Sequence, residues 1–590
     1  MNKYLKYGLA LLAGTGILFI LLIVVASLVI NPNDYKPQIV QMAKDKKQRE
    51  LTLAGDIKLS FFPRLGLDLG KASISEFRSE KEFAAVESAR LYLSWWPLLR
   101  RELVVDQVRI EGVRANIVLF KDDTTNFDDL LEKEKAGKED KQIHFDIDSV
   151  SIDRSALSFR DEMGGRQFEL SGIKIKTGRL INGKPTEAAA DFNLKADNPK
   201  INAHFHVTTG LTFDTVARLY AVKDLNLKIQ GEAAGRGLNM DIAGSAQLDL
   251  QRKNATVDLT SHLDESSIKI KAGVSPFANP HIALDLDIDR LDADRYLPAK
   301  APGKQPQPEK PFDFSILKTL NASGSVRVGS LNLNNIQAGN VQMEFKAAGG
   351  RLDINPLEAD LYQGKASGAM SLTAAGPRIS ARQNITGVSI APLLKNALNK
   401  DILEGRGSVT FDLHAEGSTV SAMKKTLQGK AGLNLRDGAI KGINIAAMLR
   451  ETQAGLGALK GEKVQTADMQ EKTDFSELSA SFDINRGVAH NQDLSGKSPL
   501  LRVSGNGDID VGAETLNYLA RATVVGSLEG QGGRELTALN GVTVPVRITG
   551  PFAEPKLTLD FNALVTESVK QEIETRATDM LKEGLKGLFH

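Results

Sequence analysis

The sequence predicts a mainly β protein, with an N-terminal transmembrane helix, an elongated antiparallel β-meander, a few helices and a C-terminal amphipathic helix. Three observations predict this fold class: an uncharged apolar run near the N-terminus, alternation of apolar and polar residues in many segments, and turn residues at short intervals. A chain of 590 residues is also too long for one compact core. We therefore expect more than one β region or one elongated body.

The transmembrane anchor is predicted from residues 8–30, which carry no charge. As a helix these 23 residues would be about 35 Å long, enough to cross a hydrocarbon core of about 30 Å. The run is longer than the apolar part of a signal peptide, which favours an uncleaved anchor. Lys3 and Lys6 favour a cytoplasmic tail over residues 1–7, with the body of the chain on the other side of the membrane.

Alternating apolar residues predict the sheet. After a helix-breaking Asn31-Pro32 and a short helix predicted over 34–47, large apolar residues occupy odd positions from 51 to 69. A period of two places these residues on one face. They are Leu51, Leu53, Ile57, Leu59, Phe61, Leu65, Leu67 and Leu69. One-sided alternation is typical of an antiparallel sheet with one dry face.

Glycine-containing segments predict the turns between strands. Gly349-Gly350 separates two alternating segments, and residues 436–438 and 504–508 have the composition of hairpin turns. These segments favour successive hairpins over βαβ units. We therefore predict a meander.

Composition divides the body into regions. Five prolines within 298–311 predict a linker between a first β region, 31–297, and a second, 312–560. Residues 561–590 predict an amphipathic helix, because apolar side chains recur there every four residues. This helix either caps the open end of the sheet or contacts a membrane or a partner.

Adjacent tryptophans form a candidate membrane contact. Trp95 and Trp96 are followed by Pro97 and two leucines. Tryptophan is enriched at membrane interfaces, but it also packs against sheets. Both interpretations stay open for these two residues.

The sequence argues against several function classes. The 74 basic and 73 acidic residues balance, which argues against nucleic-acid binding, and the absence of cysteine excludes thiolate chemistry. Asp285, Asp287 and Asp289 alternate with apolar residues as in a strand, and they lack the Gly and Glu of a calcium loop. His204 and His206 share a strand face without a third ligand. We expect no catalytic site, no cofactor and no bound metal.

Several segments resemble the AsmA family. Residues 53–65, 89–100 and 108–112 are similar to the start of such a protein, and residues 292–298, 436–445 and 498–505 are similar to later parts. The resemblance extends over nearly the whole chain. It implies a single-pass inner-membrane protein with most of its chain in the periplasm and a role in outer-membrane biogenesis. AsmA-like proteins also resemble bridge-like lipid-transfer proteins, in which a curved sheet forms an apolar groove.

The expected function is phospholipid handling or transfer through an apolar β groove, with the odd-numbered residues of 51–69 facing lipid. Covering an acyl chain gains about 0.8 kcal/mol per CH₂ and needs no specific polar contact. The alternative is a periplasmic scaffold or assembly factor for outer-membrane proteins, which would bind an outer-membrane or periplasmic partner through sheet edges or the terminal helix. The same alternation is expected for a packed core. The sequence alone therefore leaves an open groove and a sealed core as alternatives.

Overall fold

A computed structural model describes most of the predicted body. The described residues are 31–60, 65–94, 104–122, 124–131, 146–296, 309, 311–442, 464–466, 468–499, 501–525, 541 and 543–559. The predicted anchor, both tryptophans, Phe61, most of the proline-rich stretch and the predicted C-terminal helix lie outside these residues. Within the described part of the chain, no helix has the length and apolar character needed to cross a membrane.

The chain divides into two compact units, Met1–Pro280 and His281–His590. Each unit is built mainly from antiparallel strands that follow one another in the sequence, and helices are few. The predicted β class and meander are therefore confirmed.

Unit 1 begins with a 3₁₀ turn, Pro32–Tyr35, and helix α1, Lys36–Lys47, as the sequence predicts. The Asn31 side chain accepts a hydrogen bond from the Asn33 backbone N–H and caps the turn. Gln48 ends the helix in the left-handed conformation, with φ at 51°.

Eight short strands form the first part of the sheet of unit 1. They are β1 Leu51–Leu53, β2 Ile57–Ser60, β3 Leu65–Leu69, β4 Ala72–Ser75, β5 Glu82–Val86, β6 Ser88–Leu93, β7 Val105–Glu111 and β8 Arg114–Leu119. The antiparallel pairs are β1–β4, β4–β5 and β5–β8, and alongside them β2–β3, β3–β6 and β6–β7. Two consecutive strands, such as β1 and β2, are thus the two halves of one interrupted strand. These halves pair with the two halves of the next interrupted strand, β4 and β3.

Longer strands complete unit 1 after a four-residue helix α2, Asp128–Leu131. They are β10 Ser149–Asp161, β11 Arg166–Thr177, β13 Pro185–Asp197, β14 Lys200–Asp214, β15 Leu219–Ala233, β16 Arg236–Asp249, β17 Asn254–Leu263 and β18 Ser266–Ser275. Between them, β9 Asp146–Ile147 and β12 Leu180–Ile181 form a small separate pair. Strand β10 lies parallel to β7 and β8, a departure from the antiparallel pattern that the long connection between β8 and β10 permits.

Unit 2 contains fifteen described strands. They are β19 His281–Asp292, β20 Ala322–Leu333, β21 Ile336–Ala348, β22 Arg351–Leu361, β23 Gly364–Thr373, β24 Arg378–Ser389, β25 Arg406–Glu416, β26 Gln428–Gly442, β27 Val464–Thr466, β28 Asp468–Asn485, β29 Val488–Lys497, β30 Leu501–Asp510, β31 Thr515–Val524, β32 Thr543–Pro551 and β33 Lys556–Leu559. Helices α3, Ile390–Leu398, and α4, Val420–Thr426, and 3₁₀ turns at Ala293–Arg295 and Ser315–Lys318 join them. Successive strands pair antiparallel from β20 to β26, β26 pairs with β28, and β27 pairs with β33.

The boundary between the compact units lies between Pro280 and His281, and the predicted linker at 298–311, mostly outside the described residues, stays a prediction. Strand β19 precedes the proline-rich stretch, but it pairs in parallel with β20 from Ile282–Ala322 to Asp292–Asn332. This pairing assigns β19 to unit 2. The long connection from β19 to β20 is the crossover that parallel strands require.

One of the three predicted turns forms. Gly349 and Gly350 connect β21 to β22 with positive φ values of 58° and 80°. The predictions for 436–438 and 504–508 are wrong, because these residues lie inside β26 and β30. Asp437 lies within the strand although its φ of 49° is in the left-handed region.

Unit 2 has a well-packed core on one face of its sheet. Val388 and Leu435 have no exposed surface, and Phe475 and Leu478 are buried beside them. Helix α3 covers this region through Ile390, with two further leucines of the helix packed alongside.

Candidate functional site

The predicted lipid-facing residues of 51–69 do not form one continuous strand. Strand β1 ends at Leu53 and β2 begins at Ile57, because the chain bends where Gly55 lies against Lys71, between β3 and β4. The Gly55 N–H donates to the Lys71 carbonyl at 2.7 Å, and a Cβ on Gly55 would lie 2.1 Å from the Lys71 nitrogen. Glycine is therefore needed at this bend.

Cross-strand pairing still groups these residues. Leu59 pairs with Leu67, and Ile57 pairs with Leu69, while Leu51 and Leu53 pair with β4 instead. Ile57 is buried and Leu67 is 37% exposed. The other described members of the set are partly exposed. Lipid contact at these residues stays a prediction. So do lipid contact at Phe61 and membrane-interface contact at Trp95 and Trp96, which lie outside the described residues.

A longer apolar row crosses the sheet of unit 1, and we name it row 1. Its members are directly opposite one another on successive strands from β7 to β18. They are Ile110, Ile152, Ile175, Ala190, Val207, Leu227, Ile242, Ser261 and Ile268. At about 4.8 Å between strands, the eight steps give a row about 38 Å long.

Parallel to row 1, aromatic side chains stack across neighbouring strands. The rings of Phe192 and Phe205 are 4.9 Å apart and nearly parallel, and those of Phe159 and Phe168 are 4.7 Å apart. Phe205 continues to Ile229 on the next strand. The apolar character of this face thus extends along the strands as well as across them.

The apolar face of unit 1 is not sealed like a globular core. Among the hydrophobic residues of 146–280, Ala203 and Ile229 alone are buried, and the others keep part of their surface exposed. Ser261, the polar member of row 1, is buried and its hydroxyl has no hydrogen-bond partner. Row 1 therefore offers an apolar surface with almost no polar group that could recognise a ligand.

The opposite face of the same strands is polar. His206 Nδ1 lies 2.7 Å from an Asp191 carboxylate oxygen, and His204 Nδ1 lies 3.1 Å from the Asn193 side-chain oxygen. These four side chains are on the face opposite Val207, since they alternate with the apolar residues along β13 and β14. Strands β13 and β14 therefore each have one polar face and one apolar face, as the alternation predicts.

Unit 2 carries an analogous row, which we name row 2. It runs through Leu284, Gly324, Phe345, Ile354, Met370, Ala381, Leu413, Gly429, Ile484, Ala489, Ile509 and Leu516. Ala489 is buried, and the remaining members are partly exposed. On β24 and β26, the core under α3 lies on this same face further along the strands. Ile385 is four residues from Ala381, and Leu435 is six residues from Gly429. Helix α3 therefore covers one end of the apolar face.

The acidic strand β19 carries Asp285, Asp287 and Asp289 on its exposed face, as predicted for a strand. Asp285 accepts a hydrogen bond from the Ser325 hydroxyl at 2.6 Å. Across the described residues, no group of three or more His, Asp or Glu side chains is placed to hold a metal ion.

A buried arginine cluster in unit 1 was not predicted as a site. Arg49 has no exposed surface, and its guanidinium donates to both carboxylate oxygens of Asp129, at 2.8 and 2.5 Å. It also donates to the carbonyls of Ser75 and Asn126, and it stacks 4.9 Å from the Phe83 ring centroid. Hydrogen bonding to Arg49 lowers the pKa of Asp129. The cluster ties the end of α1 to β4 and α2, which is a structural role.

A second buried polar cluster lies between β28, β29 and β31. The Tyr518 hydroxyl donates to the side-chain oxygen of Asn491, whose amide donates to the Ser481 carbonyl and to Asp493, both at 2.7 Å. Burial raises the pKa of Tyr518 to about 12, and the nearby charge of Asp493 adds to this. These groups sit where the β29 register shifts between Asn491 and Leu494. They satisfy the backbone of a bulge, and the Tyr518 hydroxyl stays protonated near neutral pH.

Comparison with known proteins agrees with this architecture. The protein AsmA of Escherichia coli (strain K12) is 21% identical over 616 aligned residues, and the alignment covers 96% of each chain. No solved structure matches this chain. The model of the AsmA family matches residues 1–233 and 276–494, which confirms the resemblance seen in the sequence. The chain belongs to the AsmA family.

Proposed function

We propose that this protein handles or transfers phospholipids, whose acyl chains lie along row 1 and row 2. One observation carries the proposal: the hydrophobic residues of 146–280 form an ordered face, and all of them except Ala203 and Ile229 keep part of their surface exposed. Apolar surface of this extent is unfavourable in water, at about 25 cal/mol per Å². An acyl chain would remove it from water.

The chemistry of the rows fits acyl chains better than a polar ligand. A hydrocarbon chain has no hydrogen-bonding group, and row 1 offers one hydroxyl among eight apolar side chains. Contact of this kind selects for apolar length and not for a headgroup. Membership of the AsmA family favours a role related to the outer membrane. With residues 8–30 as an inner-membrane anchor, both rows would lie in the periplasm.

The test is site-specific photocrosslinking in the full-length protein in cells. A photoreactive phenylalanine analogue replaces Leu227, a member of row 1, or its neighbour Asn226 on the polar face. We expect phospholipid adducts at position 227 and several-fold fewer at position 226, because the two side chains point to opposite faces. Absence of lipid adducts at position 227, or equal adducts at both positions, would overturn the proposal.

The same experiment separates the alternative function. A scaffold for outer-membrane proteins would give protein adducts in place of lipid adducts at position 227. Positions 226 and 227 are adjacent in the chain. Nonspecific labelling by the lipid around the anchor should therefore affect both variants equally.

A further inference from the structure

Helix α1 and Tyr35, the residue immediately before it, expose an apolar stripe to solvent. Tyr35 is 56% exposed, Ile39 is 39% exposed and Met42 is 56% exposed. Their spacing of four and three residues places them on one side of the helix, one above the other. Three large apolar side chains in such a row are unusual on a short helix whose other residues are mostly polar.

A different side of α1 packs on the protein. Val40 and Ala43 are partly buried, and α1 contacts β1. The turn before the helix is fixed to β2, because the Asn33 side chain donates to the Ile57 carbonyl at 3.1 Å and accepts from its N–H at 2.9 Å. The exposed stripe is therefore not the side that holds α1 to the sheet.

The end of α1 is basic. The helix carries four lysines and one aspartate, and three of the lysines, Lys44, Lys46 and Lys47, are in its last turn. Lys46 follows Met42 by four residues and extends the exposed stripe. At the same end of the helix, the Arg78 backbone N–H donates to the Gln48 carbonyl at 2.9 Å, which brings a further cation there.

Arg78 also lies against an exposed aromatic ring. Its guanidinium lies 4.9 Å from the ring centroid of Phe77, and Phe77 is 41% exposed. Exposed aromatic, aliphatic and basic side chains on and beside α1 are the residue types typical of helices that lie at a membrane interface.

The chain position supplies the partner. The uncharged run 8–30 ends immediately before Asn31, and five residues separate it from the start of α1. Fully extended, five residues span at most about 18 Å. If 8–30 crosses the membrane, α1 begins within that distance of the bilayer surface.

We propose that α1 lies in the headgroup region of this bilayer, with Tyr35, Ile39 and Met42 facing the acyl boundary. Lys46 and Arg78 contact the headgroups of anionic phospholipids. This inference goes beyond the proposed function, because it concerns the placement of α1 and not the occupancy of the rows. Through the Asn33 contacts with Ile57, it places β2 beside the membrane surface.

The absence of cysteine from the chain makes the test direct. Met42→Cys and Gln41→Cys are made in the full-length protein, and each is labelled with an environment-sensitive fluorophore. Both positions are exposed on α1, so neither substitution removes a packed side chain. The labelled proteins are reconstituted into phosphatidylcholine vesicles with or without phosphatidylglycerol, and insertion is checked by resistance to alkaline extraction.

We expect blue-shifted emission at position 42 and several-fold stronger quenching there by nitroxide-labelled lipids than at position 41. Phosphatidylglycerol should increase the effect, and Lys46→Gln with Arg78→Gln should abolish that increase. Equal quenching at both positions overturns the proposal, as does failure of the chain to resist alkaline extraction. A blue shift at position 42 without quenching by lipid nitroxides would show that a protein surface covers the stripe, and it also overturns the proposal.

Discussion

Arg49 provides the sharpest test of how unit 1 is held together. Its guanidinium has no exposed surface, and it donates to the Asp129 carboxylate and to the carbonyls of Ser75 and Asn126. Arg49→Met keeps most of the volume and removes all four donated hydrogen bonds. Asp129 then holds a charge that is only 18% exposed and has lost its partner.

The expected loss can be estimated from this geometry. Removing one partner of a buried ion pair typically costs 3–5 kcal/mol, and the residual exposure of Asp129 places this case near about 3 kcal/mol. That value corresponds to roughly a hundredfold increase in local opening. Amide hydrogen exchange should detect it at the Ser75 N–H, which donates to Glu50, and at the Asn126 N–H, which donates to Val118.

Lys44→Met is the matched control. Lys44 is also at the end of α1, but it is 61% exposed and lies 3.6 Å from Glu50, so its removal should leave exchange nearly unchanged. Arg49→Met combined with Asp129→Asn should lose less than the sum of the two single changes, because the two groups interact directly. Parent-like exchange in Arg49→Met, or an equal effect of Lys44→Met, would refute this account of the cluster.

The same cluster predicts a pH dependence. Arg49 lowers the pKa of Asp129 below its unfolded value of about 3.9. A lowered carboxyl pKa contributes stability above the unfolded pKa, and this contribution is lost as pH falls through the folded pKa. Protection of the Ser75 amide should therefore decrease below about pH 4 more steeply in the parent than in Arg49→Met. Equal slopes in the two proteins would contradict the assignment.

Three further predictions follow from the sequence patterns. A reporter fused after His590 should be active only outside the cytoplasm, and the mature chain should begin at or near Met1; a mature N-terminus near Ser27 would overturn the anchor. Replacing the three exposed aspartates of β19 with asparagine should leave the melting temperature indifferent to calcium, and a calcium-dependent rise in the parent that the variant loses would contradict this. Leu53→Asp with Leu67→Asp should leave a folded protein that has lost lipid and function, because partly exposed positions tolerate a charge that an apolar channel does not; an unfolded variant, or a stable one with lipid and function intact, would argue against lipid passage here.

The alternation of side chains made the strand class predictable. Residues 341–354 alternate with a glycine pair between two apolar segments, and this local pattern is sufficient to fix the hairpin of β21 and β22. The same holds for the 3₁₀ turn before α1, whose start is encoded by Asn31 and Pro32. Where local chemistry specifies the backbone, the sequence predicts it well.

Glycines inside strands were misread as turns because their role depends on a distant side chain. In β30, a Cβ on Gly505 would lie 2.8 Å from the Tyr518 ring, and Gly507 meets the same residue. These glycines make room for a tyrosine that pairs across the sheet. Sequence composition shows the glycines, but only the register shows that β31 brings Tyr518 over them.

The buried position of Arg49 could not be predicted for a similar reason. In the sequence it is one of several basic residues after the predicted anchor, and such residues are usually solvated. Its partners Ser75 and Asp129 are far away in the chain and come together only through the pairing of β1 with β4 and the docking of α2. A buried charge of this kind is specified by tertiary contacts and has no local signal.

The periodicity of the sequence also does not distinguish an open apolar face from a packed core. Row 2 and the core under α3 are on the same face of β24 to β26, and both show the same alternation of apolar and polar residues. The core is sealed because α3 brings Ile390 over Val388 and Leu435, whereas Leu413 and Met370 in row 2 keep exposed surface. The period of two therefore identifies which side of a strand is apolar, and the placement of a covering element decides what that side contacts. A lipid would need to bind only where no such element covers the apolar face, and this is why the photocrosslinking test uses row 1, where Leu227 is partly exposed.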